Sequence, residues 1–273
     1  MDSVHDKERT LLEELKKHSS LIVAYSGGVD SAYLAYAAFK ALGDQMLAVT
    51  ALSASYSARD RQMAEACVER IHFPHEFITT DEVSNPDYRA NNPNRCFFCK
   101  DELFNKLDEL AARRGFTAVA YGVNLDDRGD WRPGQHAAQK HRVLTPLLDV
   151  GLTKADIREL ARQAELPVWD RPASACLASR IAYGLEVTPE RLATIEKAED
   201  GIRALGFQQF RVRHHGNLVR LEVASDELPR ALDPQMARQF VELLKSLGFT
   251  YVTLDLEGYR RGSLNAFSLT SKS

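Results

Sequence analysis

Six consecutive residues carry the clearest chemistry in the chain: Ser26-Gly27-Gly28-Val29-Asp30-Ser31. An apolar run, Leu21 to Tyr25, precedes them, and a helical pattern, Ala32 to Ala38, follows. A buried strand that feeds a glycine-rich turn and then a helix points backbone N–H groups and the positive helix end at an anion. The two glycines let the backbone approach a phosphate without a Cβ in the way. Ser26 and Ser31 add hydroxyl donors, and the Asp30 carboxylate is a suitable ligand for Mg2+. A helix end alone contributes about 0.3–1 kcal/mol. Micromolar nucleotide binding amounts to about 8 kcal/mol. Such a loop therefore needs Mg2+, further donors and a base pocket.

Cysteine supplies the second chemistry. Cys96-Phe97-Phe98-Cys99 is a C-x-x-C pair, and Cys176 stands in the stretch Arg171 to Arg180. Both segments are predicted to be loops beside one crevice. The pair by itself fits a redox dithiol, a zinc half-site or part of an iron–sulfur site. With Cys176 added, three thiolates could hold a four-iron cluster with one iron open; three unrelated thiols, or zinc with a fourth ligand, are the alternatives. Cys67 is read differently, because Met63, Cys67 and Ile71 recur every four residues along a predicted helix, the pattern of a buried stripe.

Arg211 and Arg213 alternate along a predicted strand, so both guanidinium groups fall on one face. Such a pair suits bidentate phosphate binding, and pairing with neighbouring acids is the competing expectation. Glu199, Glu222 and Asp226 are nearby carboxylates that could serve a metal or a ribose, although most surface carboxylates do neither. His214 and His215 are expected in an exposed turn. Trp131 and Tyr121 are candidates for stacking on a base, with packing as the alternative.

The elements that must position these residues alternate. Strands are predicted at 21–25, 46–52, 75–80 and 117–122, and helices at 8–17, 30–42, 57–72, 99–114 and 153–164. Alternating strands and helices with short connections make a parallel sheet covered on both faces. Ligands of such sheets sit at the carboxyl ends of the strands. Two long connections, 81–98 and 123–146, interrupt the alternation; long irregular connections are usually functional or disordered, and their place beside the expected crevice favours function. Beyond Gly184 the pattern changes. Thr188-Pro189 starts a helix that stops at Gly206, a hairpin spans 210–223, a helix covers 234–247, and a strand runs from Tyr251 to Leu256. The expected division is 1–185 and 186–273, an α/β parallel-sheet domain followed by a small α+β domain.

Composition narrows the class. At 44% apolar and 27% charged residues the chain is an ordinary globular protein. It has no apolar run approaching a membrane span and no basic-then-apolar leader, so a cytoplasmic location is expected. A net charge of −3 argues against a long nucleic-acid footprint. Four cysteines in a reducing compartment do not suggest a disulfide framework.

The loop lacks the lysine of a Walker A motif. It matches S-G-G-x-D-S, the PP-loop of ATP pyrophosphatases, which split ATP to AMP and pyrophosphate while adenylating a substrate oxygen. Further segments extend the likeness: Asn124 to Gly134, Pro172 to Gly184 (PASACLASRIAYG), Phe210 to His214, and Tyr251 to Arg260. Over nearly its whole length the chain resembles the LarE family, ATP-dependent sulfur transferases of nickel-pincer cofactor synthesis. The resemblance implies an adenine nucleotide alpha hydrolase-like fold. It also implies that ATP and Mg2+ adenylate a carboxylate of pyridinium-3,5-biscarboxylic acid mononucleotide, after which sulfur displaces AMP. Ser26, Gly27, Gly28, Asp30 and Ser31 would bind ATP, and Arg211 and Arg213 the substrate. Family members with one cysteine sacrifice its sulfur; those with three resemble carriers of a [4Fe-4S] cluster. Cys96, Cys99 and Cys176 place this chain with the second kind, with sacrifice of the Cys176 sulfur as the alternative. A homo-oligomer, such as a hexamer, is implied. The rival readings are an ammonia-using ligase similar to NAD synthetase, a tRNA thiolase, and a nucleotide-sensing module.

Overall fold

A computed structural model describes residues 3–128, 133–172, 175–260 and 262–264. Trp131, Arg132, Ala173 and Ser174, each part of a motif read from the sequence, lie outside the described residues. In chain order the elements are α1 (Val4–Leu15), β1 (Leu21–Ala24), α2 (Val29–Leu42), β2 (Met46–Leu52), α3 (Ala58–Ile71), β3 (His75–Thr79), α4 (Pro86–Arg89) and α5 (Arg95–Arg114). There follow β4 (Ala118–Tyr121), α6 (Pro133–Lys140), α7 (Pro146–Asp149), α8 (Lys154–Gln163), α9 (Pro189–Ala204), β5 (Phe210–His215), β6 (Leu218–Val223), α10 (Leu228–Ala231), α11 (Pro234–Ser246) and β7 (Tyr251–Leu254). No described helix is long and apolar enough to cross a membrane.

The chain forms two compact units, one of residues 1–82 and 96–174, the other of residues 83–95 and 175–273. The first unit contains the expected parallel sheet, in the order β3-β2-β1-β4 among the described residues. β1 lies inside the sheet, and all four of its residues are buried. Its side chains alternate between two cores. Leu21 and Val23 join a cluster with Leu34, Cys67 and Ile157, whereas Ile22 and Ala24 join one with Phe104, Leu107 and Ala137. A strand apolar at every position therefore follows from having helices on both sides. From β1 the chain builds outward to β2 and β3, then returns to place β4 on the other flank. That reversal creates the crevice at the strand ends where such sheets bind ligands.

In the second unit β5 and β6 form an antiparallel hairpin, and β7 adds parallel to β6. Residues of α9 and α11 bury Ile202, Phe240 and Leu244 against Val212, Val219 and Leu221. Thr188 caps α9 with Pro189 at its first position, as the sequence predicts. The geometric division between units falls at 174–175 and not at 185, and 83–95 crosses over. Asn91 is the physical reason: its side-chain amide donates to the Ala182 and Leu185 carbonyls, both at 2.9 Å. Arg95 donates to the Ala178 carbonyl at 2.9 Å.

Candidate active site

The glycine-rich loop leaves β1 at the reversal. Tyr25 continues the ladder through its N–H to the Val49 carbonyl at 2.8 Å, then Gly27 turns the chain with φ of +72°. A Cβ on Gly27 would lie 2.9 Å from Ala64 Cβ, so packing demands glycine here. Gly28 differs. Its φ is −80°, and an added Cβ would meet Ser26 Oγ at an ordinary 3.5 Å. The fold does not require Gly28; lacking a side chain, it leaves the first turn of α2 uncapped and open to an approaching group. From the other flank Gly122, at the end of β4, presses so close that its Cβ would lie 2.7 Å from Ser31 N.

The serines divide their work. The Ser31 hydroxyl is buried, accepts from Ser26 N–H at 3.1 Å and donates to the Gly28 carbonyl at 3.0 Å, tying the loop to itself. Ser26 is exposed, and its carbonyl accepts from Tyr56 Oη at 3.1 Å. Burial raises the Tyr56 hydroxyl pKa, so it acts as a neutral donor. The end of β2 carries Ser53 and Ser55, whose hydroxyls lie 3.0 Å apart. Ser55 Oγ donates to buried Glu82 at 2.8 Å.

Asp30 stands in the first turn of α2. Its Oδ2 accepts from Lys154 Nζ at 2.6 Å, while its buried Oδ1 has no hydrogen-bond partner among the described residues. A carboxylate with one bare oxygen beside an open anion cradle fits a Mg2+ ligand. Lys154 opens α8, where Thr153 and Asp156 form a capping box, and Asp126 Oδ2 accepts its backbone N–H at 2.8 Å. The sequence reading missed Lys154. Its capping signal marks a helix start, but its partner lies 124 residues away.

The cysteines fall in both units. Cys96 and Cys99 do not lie in a loop: α5 begins at Arg95, so the pair sits one turn apart on one helical face. Cys96 is exposed and Cys99 half-buried. Gly134 of α6 packs on this turn, where a Cβ would lie 3.0 Å from Lys100 Cγ and 3.5 Å from the Cys96 carbonyl. Cys176 is exposed and belongs to the second unit. Among the described residues no three His, Cys, Asp or Glu side chains come together in a group that could hold a metal ion. Cys67 is buried in the core, and burial raises its thiol pKa, so it is held as a neutral packing group.

In the second unit the arginines surround the turn that carries Cys176. Arg180 is buried, pairs with Glu199 through Nε at 2.9 Å and Nη2 at 3.2 Å, and donates to the Cys176 carbonyl at 3.0 Å. Arg213 is buried against fully buried Glu222, at 3.0 and 2.8 Å, and donates to the Ser179 carbonyl at 3.1 Å. Glu199 and Glu222 are thus arginine partners, while Asp226 is exposed. Arg211 is half-buried, with its guanidinium 5.0 Å from the Tyr259 ring centroid. Burial, then the nearby Arg180 charge, lowers its pKa, so an anion placed there would relieve crowded positive charge.

His214 corrects an expectation of exposure. β5 runs through His215, Gly216 turns the hairpin at φ of +77°, and buried His214 packs edge-on to Phe249 at 5.1 Å. Burial, then Arg191, lowers its pKa, and burial does the same to half-buried His215. Tyr121 packs against Phe104 at 5.6 Å.

Comparison with known proteins accords with this geometry. The NAD synthase family profile matches residues 4–97. An uncharacterised protein of Synechocystis is 41% identical over 89% of this chain and 91% of its own length. A pyridinium-3,5-bisthiocarboxylic acid mononucleotide synthase of Lactiplantibacillus plantarum is 33% identical over 97% of this chain and 96% of its own. An uncharacterised protein of Methanocaldococcus jannaschii is 27% identical over 93% and 96% respectively.

Proposed function

The chain belongs to the LarE family, and on that premise we propose that it uses ATP to adenylate a carboxylate of pyridinium-3,5-biscarboxylic acid mononucleotide and then replaces AMP with sulfur. The observation that carries this reading is the open loop at Gly28 with the bare Asp30 oxygen beside it. A carboxylate is a poor electrophile. Transfer of AMP makes its carbonyl attackable and releases pyrophosphate; attack by sulfur then expels AMP and leaves a thiocarboxylate.

The chain's own residues supply binding and orientation. Backbone N–H groups of the loop and the first turn of α2 face the phosphates. Asp30 would hold Mg2+, which supplies charge neutralisation as pyrophosphate leaves. Ser31 and Tyr56 keep the loop in shape. Arg211 is assigned to the substrate phosphate. Arg213, engaged with Glu222 and Ser179, is assigned to holding the Cys176 turn. We assign nucleotide activation to the first unit, substrate phosphate and assembly into a homo-oligomer to the second, and the cytoplasm as the site of action.

Cys96, Cys99 and Cys176 are the residues that would hold a [4Fe-4S] cluster, which would supply a bound sulfide. One observation favours a second reading: Cys176 is exposed. In that reading the Cys176 thiolate attacks the acyl adenylate and expels AMP. Loss of its Cα proton with cleavage of the Cβ–S bond then yields thiocarboxylate and dehydroalanine. Anaerobic purification with iron and acid-labile sulfide counting separates the two. Four irons lost in each of the three Cys→Ala variants supports the cluster; no iron, one turnover and a protein lighter by the mass of hydrogen sulfide supports sacrifice.

A further inference from the structure

The loop Ser26–Ser31 contains no lysine, yet a triphosphate calls for cationic side chains. Lys154 reaches it from α8, with Nζ 2.6 Å from Asp30 Oδ2. We propose that Lys154 and the divalent cation compete for Asp30. The ammonium occupies the carboxylate in the nucleotide-free protein, and the arriving metal releases it to the phosphates. Lys154 thereby supplies the cation that the loop lacks. This inference rests on the adenylating reading of the loop.

Three observations converge on it. Asp30 is half-satisfied: Oδ2 holds the ammonium and Oδ1 is buried without a partner among the described residues, so the carboxylate keeps an acceptor that the ammonium does not use. A divalent charge on that carboxylate would then repel the ammonium. The Lys154 backbone is fixed by the capping box of α8 and by Asp126, whereas its side chain is about one-third exposed. A lysine anchored at its Cα, with a flexible four-carbon stem, can move its charge without moving a helix.

The test titrates nucleotide-free protein with Mn2+, followed by electron paramagnetic resonance of the free ion, and measures ATP and AMP binding by calorimetry with Mg2+. Lys154→Met should bind Mn2+ about tenfold more tightly than wild type, the low end for one charge-assisted hydrogen bond. It should bind ATP about tenfold more weakly and AMP nearly as wild type, because ATP carries the two additional phosphates. Lys154→Arg should stay near wild type in all three, which excludes a general loss of fold. Unchanged Mn2+ affinity in Lys154→Met overturns the proposal, as does equal weakening of ATP and AMP. Asp30→Asn should lose Mn2+ in both backgrounds. Failure of wild-type protein to bind ATP would defeat the adenylating reading, whereas the Mn2+ titration judges the competition by itself.

Discussion

Replacing Gly27 and Gly28 separately by alanine tests the idea that adjacent glycines serve different ends. Gly27 has φ of +72°, and its added Cβ would sit 2.9 Å from Ala64 Cβ and 3.2 Å from the α3 backbone. The left-handed backbone costs a non-glycine residue about 1–2 kcal/mol. Overpacking a rigid neighbour costs about 1–3 kcal/mol more. Gly27→Ala should therefore lose about 2–5 kcal/mol, which lowers the melting temperature of a protein this size by roughly 5–15 °C. Gly28 has an ordinary extended backbone and room for a methyl group. Gly28→Ala should change stability by less than about 1 kcal/mol. Its methyl group would occupy the space the loop leaves open, and losing one or two charge-assisted bonds there should weaken ATP binding more than about tenfold. Thermal melts by circular dichroism and calorimetric ATP titration measure both. If Gly28→Ala melts as early as Gly27→Ala, or binds ATP as wild type does, the distinction is wrong.

Other expectations follow from the same geometry. Arg213→Ala leaves fully buried Glu222 with only Arg220 and Ser263 among its described side-chain partners, and should destabilise the second unit by about 3–5 kcal/mol in denaturant unfolding. Arg211→Ala should keep its fold and bind the mononucleotide at least about tenfold more weakly. His214 is buried and His75 half-buried, both with pKa values lowered from 6.5, so the unfolded chain takes up their protons first. Their stabilising contribution should be present above about pH 6.5 and be lost as pH falls through their folded values; urea unfolding between pH 7.5 and 5 reads this, and His214→Gln should flatten the slope. Cys67→Ala should retain adenylation and sulfur transfer, which activity assays beside the other cysteine variants would show.

Much of this was legible because local pattern and tertiary demand agree. β1 reads as a buried strand, Thr188-Pro189 as a helix start and S-G-G-x-D-S as an anion loop. The failures share one cause, partners distant in sequence. Asn91-Asn92-Pro93 signals a turn, so the start of α5 at Arg95 was hidden; buried Arg95, held by Ala178, belongs to the second unit. His214 looked like turn chemistry until Phe249 covered it. Arg213 could be paired with Glu222 only once the hairpin register set Arg213 opposite Arg220 and Arg211 opposite Glu222. The Lys154–Asp30 bond has no local signal.

The most direct measurement of the central claim is ATP–pyrophosphate exchange with Mg2+ and pyridinium-3,5-biscarboxylic acid mononucleotide, in wild type and in Asp30→Asn. Adenylation predicts exchange of labelled pyrophosphate into ATP that depends on the mononucleotide and is suppressed in folded Asp30→Asn. Exchange that is absent in wild type, indifferent to the mononucleotide, or unchanged in Asp30→Asn would contradict the account.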